Sequence, residues 1–388
     1  MQYTLVRMLC YCLLAIIFTV THHVDPPCAT HIPCRCSNIT EGVFADCSYL
    51  ELNNSPNFTR SVVAVNLSHN FLSSIPEEDL LPQGLLYLDL SYNKITHFSI
   101  NKSHPPFALN TQLLSLNVSN NNISLNVNTY FTGVFRNLQQ LRHLDISNNS
   151  IQNVNYYCND AAFEDLRSLQ SLNIDAVQNV TFGLGFSSLK NLSSLRTTGI
   201  CTLVEIEKNY FQYFPYLRSI DISARDEWRD ISICALFTIE IDTFKNMSYL
   251  ENLDISYHRQ LGLCGLRNVS NGLPKSLKVL RAQHLACESG GSVTVYSNDI
   301  KNLMFTSLTE LYIDGNNIEK ASQYIFDHLP KTLHTFSATE NRWVLDKYAW
   351  LWIGNLTGIK TVNLSFQNKH QMSQTIGSDQ CEDILSMK

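Results

Sequence analysis

The chain carries a pattern that leaves few folds open: L-x-x-L-x-L-x-x-N-x-L returns from Val62 to the last forty residues. The clean copies are VVAVNLSHNFL from Val62, LLYLDLSYNKI from Leu85, LLSLNVSNNNI from Leu113, LRHLDISNNSI from Leu141 and LTELYIDGNNI from Leu308. Looser copies start at Leu169, Leu195, Leu217, Leu250, Leu277, Leu333 and Ile359, making twelve, with first residues 22 to 33 apart. That spacing suits one coil of a solenoid, a short strand followed by a return segment.

Within a copy the alternation L-x-L sends two aliphatics inward and the residue between them outward, as the period of a strand requires. Successive strands then stack into one parallel sheet. The later slot filled by Asn70, Asn93, Asn121, Asn149, Asn316 and Asn341 suits a buried amide bonded to the backbone of a neighbouring coil. The return segments have their own apolar period, as in Phe135-Leu138-Leu141, Phe163-Leu166-Leu169 and Phe244-Met247-Leu250, so each phenylalanine fills the opposite side of the core. The expected fold is an α/β solenoid with a parallel concave sheet and an irregular or short-helical convex side.

A stack of coils exposes its core at both ends and needs caps. Cys28, Cys34, Cys36 and Cys47 lie directly before the first copy, in a C-x5-C-x-C-x10-C spacing that lacks the C-x2-C pairs of a zinc site. At the other end fewer than twenty residues follow the last copy, with Cys381 among them. The N-terminus, with Arg7 before the apolar run MLCYCLLAIIFTV, reads as an export signal too short to span a membrane. Ten cysteines remain beyond it, which suits an oxidising compartment. The expected organisation is a signal over 1–22, a cysteine-rich cap over 23–60, repeats over 61–372 and an uncapped tail over 373–388. The solenoid reads there as cut with its core unsealed, so that further sequence is expected beyond Lys388.

The four-cysteine cap, the LDLSYNKI and LDISNNSI copies, the F-x-x-L-x-x-L return segments and the irregular longer coils resemble the N-terminal ectodomain of a Toll-like receptor. Slit-like, small-proteoglycan, neuronal adhesion and variable-lymphocyte-receptor-type proteins share the cap and the leucine-rich repeat. The resemblance implies bridges Cys28–Cys36 and Cys34–Cys47, recognition of a microbial or protein ligand, dimerisation on binding, and signalling through a cytoplasmic domain that this sequence does not contain. Any membrane attachment would come through a part beyond Lys388. The alternative is a secreted or adhesive leucine-rich-repeat protein that binds another protein without signalling. Either is extracellular. Among the remaining cysteines, Cys158, Cys201, Cys234, Cys264, Cys287 and Cys381, the pair Cys234–Cys264 is favoured by similar depth in adjacent coils.

The formal charge of −6 argues against a nucleic-acid groove. No metalloprotease, nucleophile-elbow, P-loop or dinucleotide motif is found, and nothing implies a cofactor. The acids Asp89, Asp145, Asp221 and Asp254 recur with the scaffold, each followed two residues on by serine, which favours a hydrogen-bonded ladder over paired catalytic carboxylates. The outward column reads Asn66, Asp89, Asn117, Asp145, Asn173, Gly199, Asp221, Asp254, Arg281, Tyr312, Ser337 and Asn363. Fourteen N-x-S/T sequons mark Asn38, Asn53, Asn57, Asn66, Asn101, Asn117, Asn122, Asn148, Asn179, Asn191, Asn246, Asn268, Asn355 and Asn363 for glycosylation. Between Asn268 and Asn355 there is none, which leaves Arg281, Glu310, Tyr312 and His334 on the longest bare stretch, and arginine and tyrosine are enriched at binding hot spots. Two further candidates are the irregular segment Ala224 to Phe237 around Trp228, and the histidines His69, His143, His284 and His334 beside the exposed face. A chance scatter of twelve histidines is the favoured explanation of the latter.

Overall fold

The computed structural model describes residues 28–98, 106–124, 126, 128–149, 159–177, 182–197, 199–224, 236–286, 291–322, 324–343, 356–367 and 376–377. Its main sheet has fourteen strands in chain order. The first two, Arg35–Ile39 and Gly42–Asp46, form an antiparallel hairpin, and the second of them pairs parallel with Val62–Asn66. Setting that hairpin aside leaves twelve parallel coil strands, ending at Thr361–Asn363, one for each copy of the pattern. Leucine-rich coils thus stack into a solenoid. In a typical strand such as His143–Asp145 the central Leu144 is buried while His143 faces solvent.

One copy is misplaced by the sequence pattern. The strand Ser194–Arg196 pairs in register so that Arg196 stands beside Asn173 and Asp221. The sixth copy therefore starts at Leu192, not Leu195, and the outward column holds Arg196 where Gly199 is expected. The reason is Thr197, which takes the second inward slot with 2% exposure. Its β-branched shape fills a valine's space, but its hydroxyl hides the apolar signal. That hydroxyl has no hydrogen-bond partner among the described residues. Gly199 lies in the following turn, where an added Cβ would collide with the Asp175 carboxylate and the Asn148 backbone.

The asparagine slot works as its chemistry predicts. The Asn70 amide donates to Cys47 O at 2.9 Å in the preceding turn, and its oxygen accepts the N–H groups of Leu50 and Leu52. Asn93, Asn121, Asn149, Asn316 and Asn341 repeat this, each donating to the carbonyl of the coil before. Gln367 serves the twelfth coil, donating to Ala338 O at 2.9 Å and accepting from Trp343 N at 2.9 Å. The residue before the slot turns left-handed in most coils, as at His69, Tyr92, Asn120, Asn148, Tyr257, His284 and Glu340.

On the convex side the rings of Phe135, Phe163 and Phe186 follow one another at 5.7 and 4.8 Å between centroids, and Phe186 meets Phe214 at 5.2 Å. The return segments are 3-10 turns such as Asp160–Ala162 and Leu184–Ser188, with a nine-residue helix at Gly262–Ser270 and a short one at Ser297–Ile300. Burial of one leucine or phenylalanine contributes roughly 1.5–3 kcal/mol, against about 1–2 kcal/mol of backbone entropy per ordered residue. No coil is stable without its neighbours.

The N-terminal end is sealed by the cap hairpin. Disulfides join Cys28 to Cys36 and Cys34 to Cys47, and Cys28 and Cys47 are buried in the same core as Val62 and Leu67. Cys201 and Cys264 are also disulfide-bonded. Cys158, Cys234, Cys287 and Cys381 lie outside the described residues, and with them the expected Cys234–Cys264 pair. So do the export signal, the tail beyond Gly377 and most of the segment around Trp228. Among the described residues no helix is long and apolar enough to cross a membrane.

Candidate functional site

The outward column of the concave sheet is a chain of amide and carboxylate groups tied to the turn that follows each strand. Asp145 accepts the N–H of Ser147 at 3.0 Å and its hydroxyl at 2.7 Å, and Asp221 does the same with Ser223. Asp89 and Asp254 accept the N–H of Ser91 and Ser256. Across strands, Asn66 donates to Asp46, Asn117 to Asp89 and Asn173 to Asp145. Burial holds the Asp254 carboxyl above its ordinary value. The four aspartates are tied to the turns, as a scaffold ladder requires, and Asp221 and Asp254 are neighbours in register. Among the described residues no group of three or more His, Cys, Asp or Glu side chains is placed to hold a metal ion.

Three of the four candidate binding residues come together. In-register pairing sets Arg281 beside Tyr312, and the guanidinium lies 5.0 Å from the centre of the Tyr312 ring. The Tyr312 hydroxyl donates to Glu310 Oε2 at 2.8 Å. Burial, then the bond to Glu310, holds that phenol above its ordinary value, so it remains a donor. The result is a fixed row of cation, aromatic face and carboxylate, all half-buried. His334 is not part of it. Its backbone bonds to Thr309 and to the strand of Thr361, while no hydrogen bond or ion pair joins its ring to the other three among the described residues.

Two neighbouring groups are not assembled by the sequence reading, which singles out only His284 among their members. At one rim, His284 stacks on Tyr257 at 4.9 Å and approaches Glu340 at 3.8 Å, over Gly315, whose left-handed turn leaves no room for a Cβ beneath the ring. At the other rim, Glu251 is clasped by Arg218 at 2.9 Å and Lys278 at 3.1 Å, and Lys278 first, then Arg218, holds its carboxyl below the usual range. The exposed Tyr216 and Tyr249 flank this cluster. Both groups repeat at fixed places in the motif, immediately before the asparagine slot and at the strand start. Aligning the copies in columns, beyond the single outward column, is the signal that could have found them.

The sequons divide by position. Asn38, Asn53, Asn57, Asn122, Asn148, Asn191, Asn246 and Asn363 are exposed. Asn66 and Asn117 are half-buried in the amide ladder, and Asn268 is half-buried on the helix Gly262–Ser270. Asn101, Asn179 and Asn355 lie outside the described residues.

The coil motif, the single parallel sheet, the asparagine ladder and the disulfide-linked hairpin define a leucine-rich-repeat protein with an N-terminal cysteine cap. More narrowly, the chain resembles the N-terminal ectodomain of a Toll-like receptor. It is 31% identical over 343 residues to a Toll-like receptor 4 from Pinctada imbricata, across 87% of this chain and 36% of that protein. The chain thus spans about a third of the length of that relative. No family model matches it. Among solved structures, an internalin (inlF) from Listeria monocytogenes aligns with a TM-score of 0.49 and 16% identity, over 84% of this chain and 87% of that one.

Proposed function

We propose that the chain is the ligand-recognition ectodomain of a Toll-like innate immune receptor, exported and glycosylated, binding a microbial or protein ligand on its concave face. The observation that carries this reading is the relationship running over 87% of the chain. Signalling and receptor dimerisation would belong to a longer protein. The disulfides support an oxidising, extracellular setting. Arg281, Tyr312 and Glu310 are the proposed contact, with His334 at its margin: they are preorganised, free of sequons on their coils, and of the residue types that anchor interfaces.

The test is binding of the purified, secreted chain to a panel of microbial cell-wall preparations and to extracellular proteins of its source tissue. The double variant Arg281→Glu with Tyr312→Ala is expected to lose at least ten-fold in affinity while keeping the parent circular dichroism. Unchanged binding by a folded double variant removes this site. Binding to host proteins alone, with no microbial preparation retained, supports the adhesive alternative instead.

A further inference from the structure

The asparagine ladder lapses in the middle of the solenoid. Its slot holds Val177, Ile200, His258 and Leu285 in the coils that start at Leu169, Leu192, Leu250 and Leu277. Of these only His258 can offer a side-chain donor or acceptor. At two of the joints a titratable side chain does the tying instead.

The first is Asp175, two residues ahead of Val177 and 8% exposed. Its Oδ1 accepts the N–H of Asn148 at 2.6 Å and of Ile200 at 2.7 Å, while Oδ2 accepts the N–H of Asn149 at 3.0 Å. One carboxyl group therefore clasps the turn of the coil before it and the turn of the coil after it. The close approach of Gly199 makes room for it. The second is His258, 1% exposed, whose Nε2 donates to Ile222 O of the preceding coil at 2.7 Å. Its Nδ1 has no partner among the described residues. The ring thus reproduces the donor half of the missing amide and not the acceptor half.

Among the described residues, backbone groups supply every hydrogen bond that Asp175 and His258 make. Burial pushes Asp175 up to about 7 against the three N–H donors, and Asp145 is the charged side chain that acts on it. Burial holds His258 down at about 4, opposed by Ile222 O and by Asp221, the charged side chain that acts on it.

We propose that Asp175 and His258 give the middle of the solenoid a built-in response to acidification, of opposite sign at the two joints: the Asp175 joint tightens and the His258 joint loosens. The signs follow from linkage. Asp175 takes up its proton more readily folded than unfolded, so the stability of its joint is greatest below the unfolded value near 3.8 and is lost as pH rises through about 7. His258 takes up its proton less readily folded than unfolded, so its joint weakens as pH falls from 6.5 through about 4. Between pH 7.5 and 5.5 these shifts correspond to roughly a twenty-fold fall in local opening constant at the first joint and roughly a ten-fold rise at the second. The concave strands bearing Asp145 and Asp254 lie on these coils, so the sheet between them changes its internal bracing within that range.

Amide hydrogen exchange on the whole secreted chain at pH 7.5 and 5.5, corrected for intrinsic rates, reads both joints. Protection of the Asn148, Asn149 and Ile200 amides is expected to rise about twenty-fold on acidification, and that of Ala224 and Tyr257, which bond across the His258 coil, to fall about ten-fold. His258→Asn restores the ladder amide and should abolish the second response; Asp175→Asn keeps an acceptor for Asn148 and Ile200 and should abolish the first. Protection at Ile200 that is flat or falls on acidification in the parent chain overturns the Asp175 half without any variant having to fold. An acid response at Ala224 and Tyr257 that persists in His258→Asn overturns the other.

Discussion

Asn316→Ala isolates what one rung of the amide ladder contributes. Asn316 is 0% exposed, donates to Ala282 O at 2.7 Å and Ile313 O at 3.0 Å, and accepts from Leu285 N at 2.7 Å. Truncation leaves Ile313 O still paired with the Asn341 amide at 3.1 Å, but strands the Leu285 N–H and the Ala282 carbonyl. Each of the two stranded buried groups costs about 1–3 kcal/mol, so the rung is worth about 2–6 kcal/mol. A solenoid does not unfold as a single two-state unit, so a global midpoint would dilute the effect. The Leu285 amide reports it directly: 2 kcal/mol corresponds to about a thirty-fold loss of protection against hydrogen exchange. Asn316→Asp should be worse than alanine, because it keeps the acceptor for Leu285 yet turns a charged oxygen toward two carbonyls. Leu285 protection within a factor of about three of the parent, in a folded alanine variant, would refute the account of the ladder given above.

Thr197→Val replaces a buried hydroxyl that lacks a partner among the described residues with a methyl of the same shape, and should stabilise the sixth coil by about 1 kcal/mol, seen as a higher thermal midpoint. A lower midpoint would mean that the hydroxyl is satisfied after all. Arg267→Met removes the guanidinium whose Nε and Nη2 both lie 2.9 Å from Asp299 Oδ1, leaving a 0%-exposed carboxylate that, among the described residues, keeps the Tyr296 N–H as its donor. Because Arg267 itself is 24% exposed, the expected loss is at the low end for a broken buried pair, about 3 kcal/mol, read as a lower urea midpoint. A midpoint unchanged within error would show that the helix does not depend on the pair.

Much of this architecture is legible in the chain because the coil repeats its own instructions. Leu88, Leu116 and Leu144 are inward for the reason their neighbours are outward, and twelve repetitions average out local ambiguity. Legibility fails where a residue satisfies the physical demand of a slot without having the expected identity. Thr197 meets a demand for shape, Gln367 and His258 meet a demand for a donor at a given reach, and Asp175 meets one from two residues away. The Arg281–Tyr312–Glu310 row is half legible. Register puts the three on adjacent strands, but whether the guanidinium covers the ring and the phenol turns to the carboxylate is decided by rotamers, which periodicity does not encode. His334 shows the converse, since adjacency by register did not bring its ring into the group.

The convex rings have a geometric consequence for a surface they never touch. Neighbouring strands of a sheet sit about 4.7–4.9 Å apart, whereas Phe135 and Phe163 are 5.7 Å apart and Phe186 and Phe214 5.2 Å apart on the far side of the same coils, with Phe163 and Phe186 between them matching the strands at 4.8 Å. Where the rings stand wider than the strands they act as wedges, and the difference bends the stack toward its strands. The nine-residue helix Gly262–Ser270 makes a thicker wedge of about 10 Å diameter just where the coils of Arg281 and Tyr312 begin. The radius of the arc presented to a ligand is therefore set by side-chain volume on the outer circumference. Trimming Phe163 or Phe186 to leucine would alter the spacing of concave contacts several coils away while leaving every one of those contact residues in place.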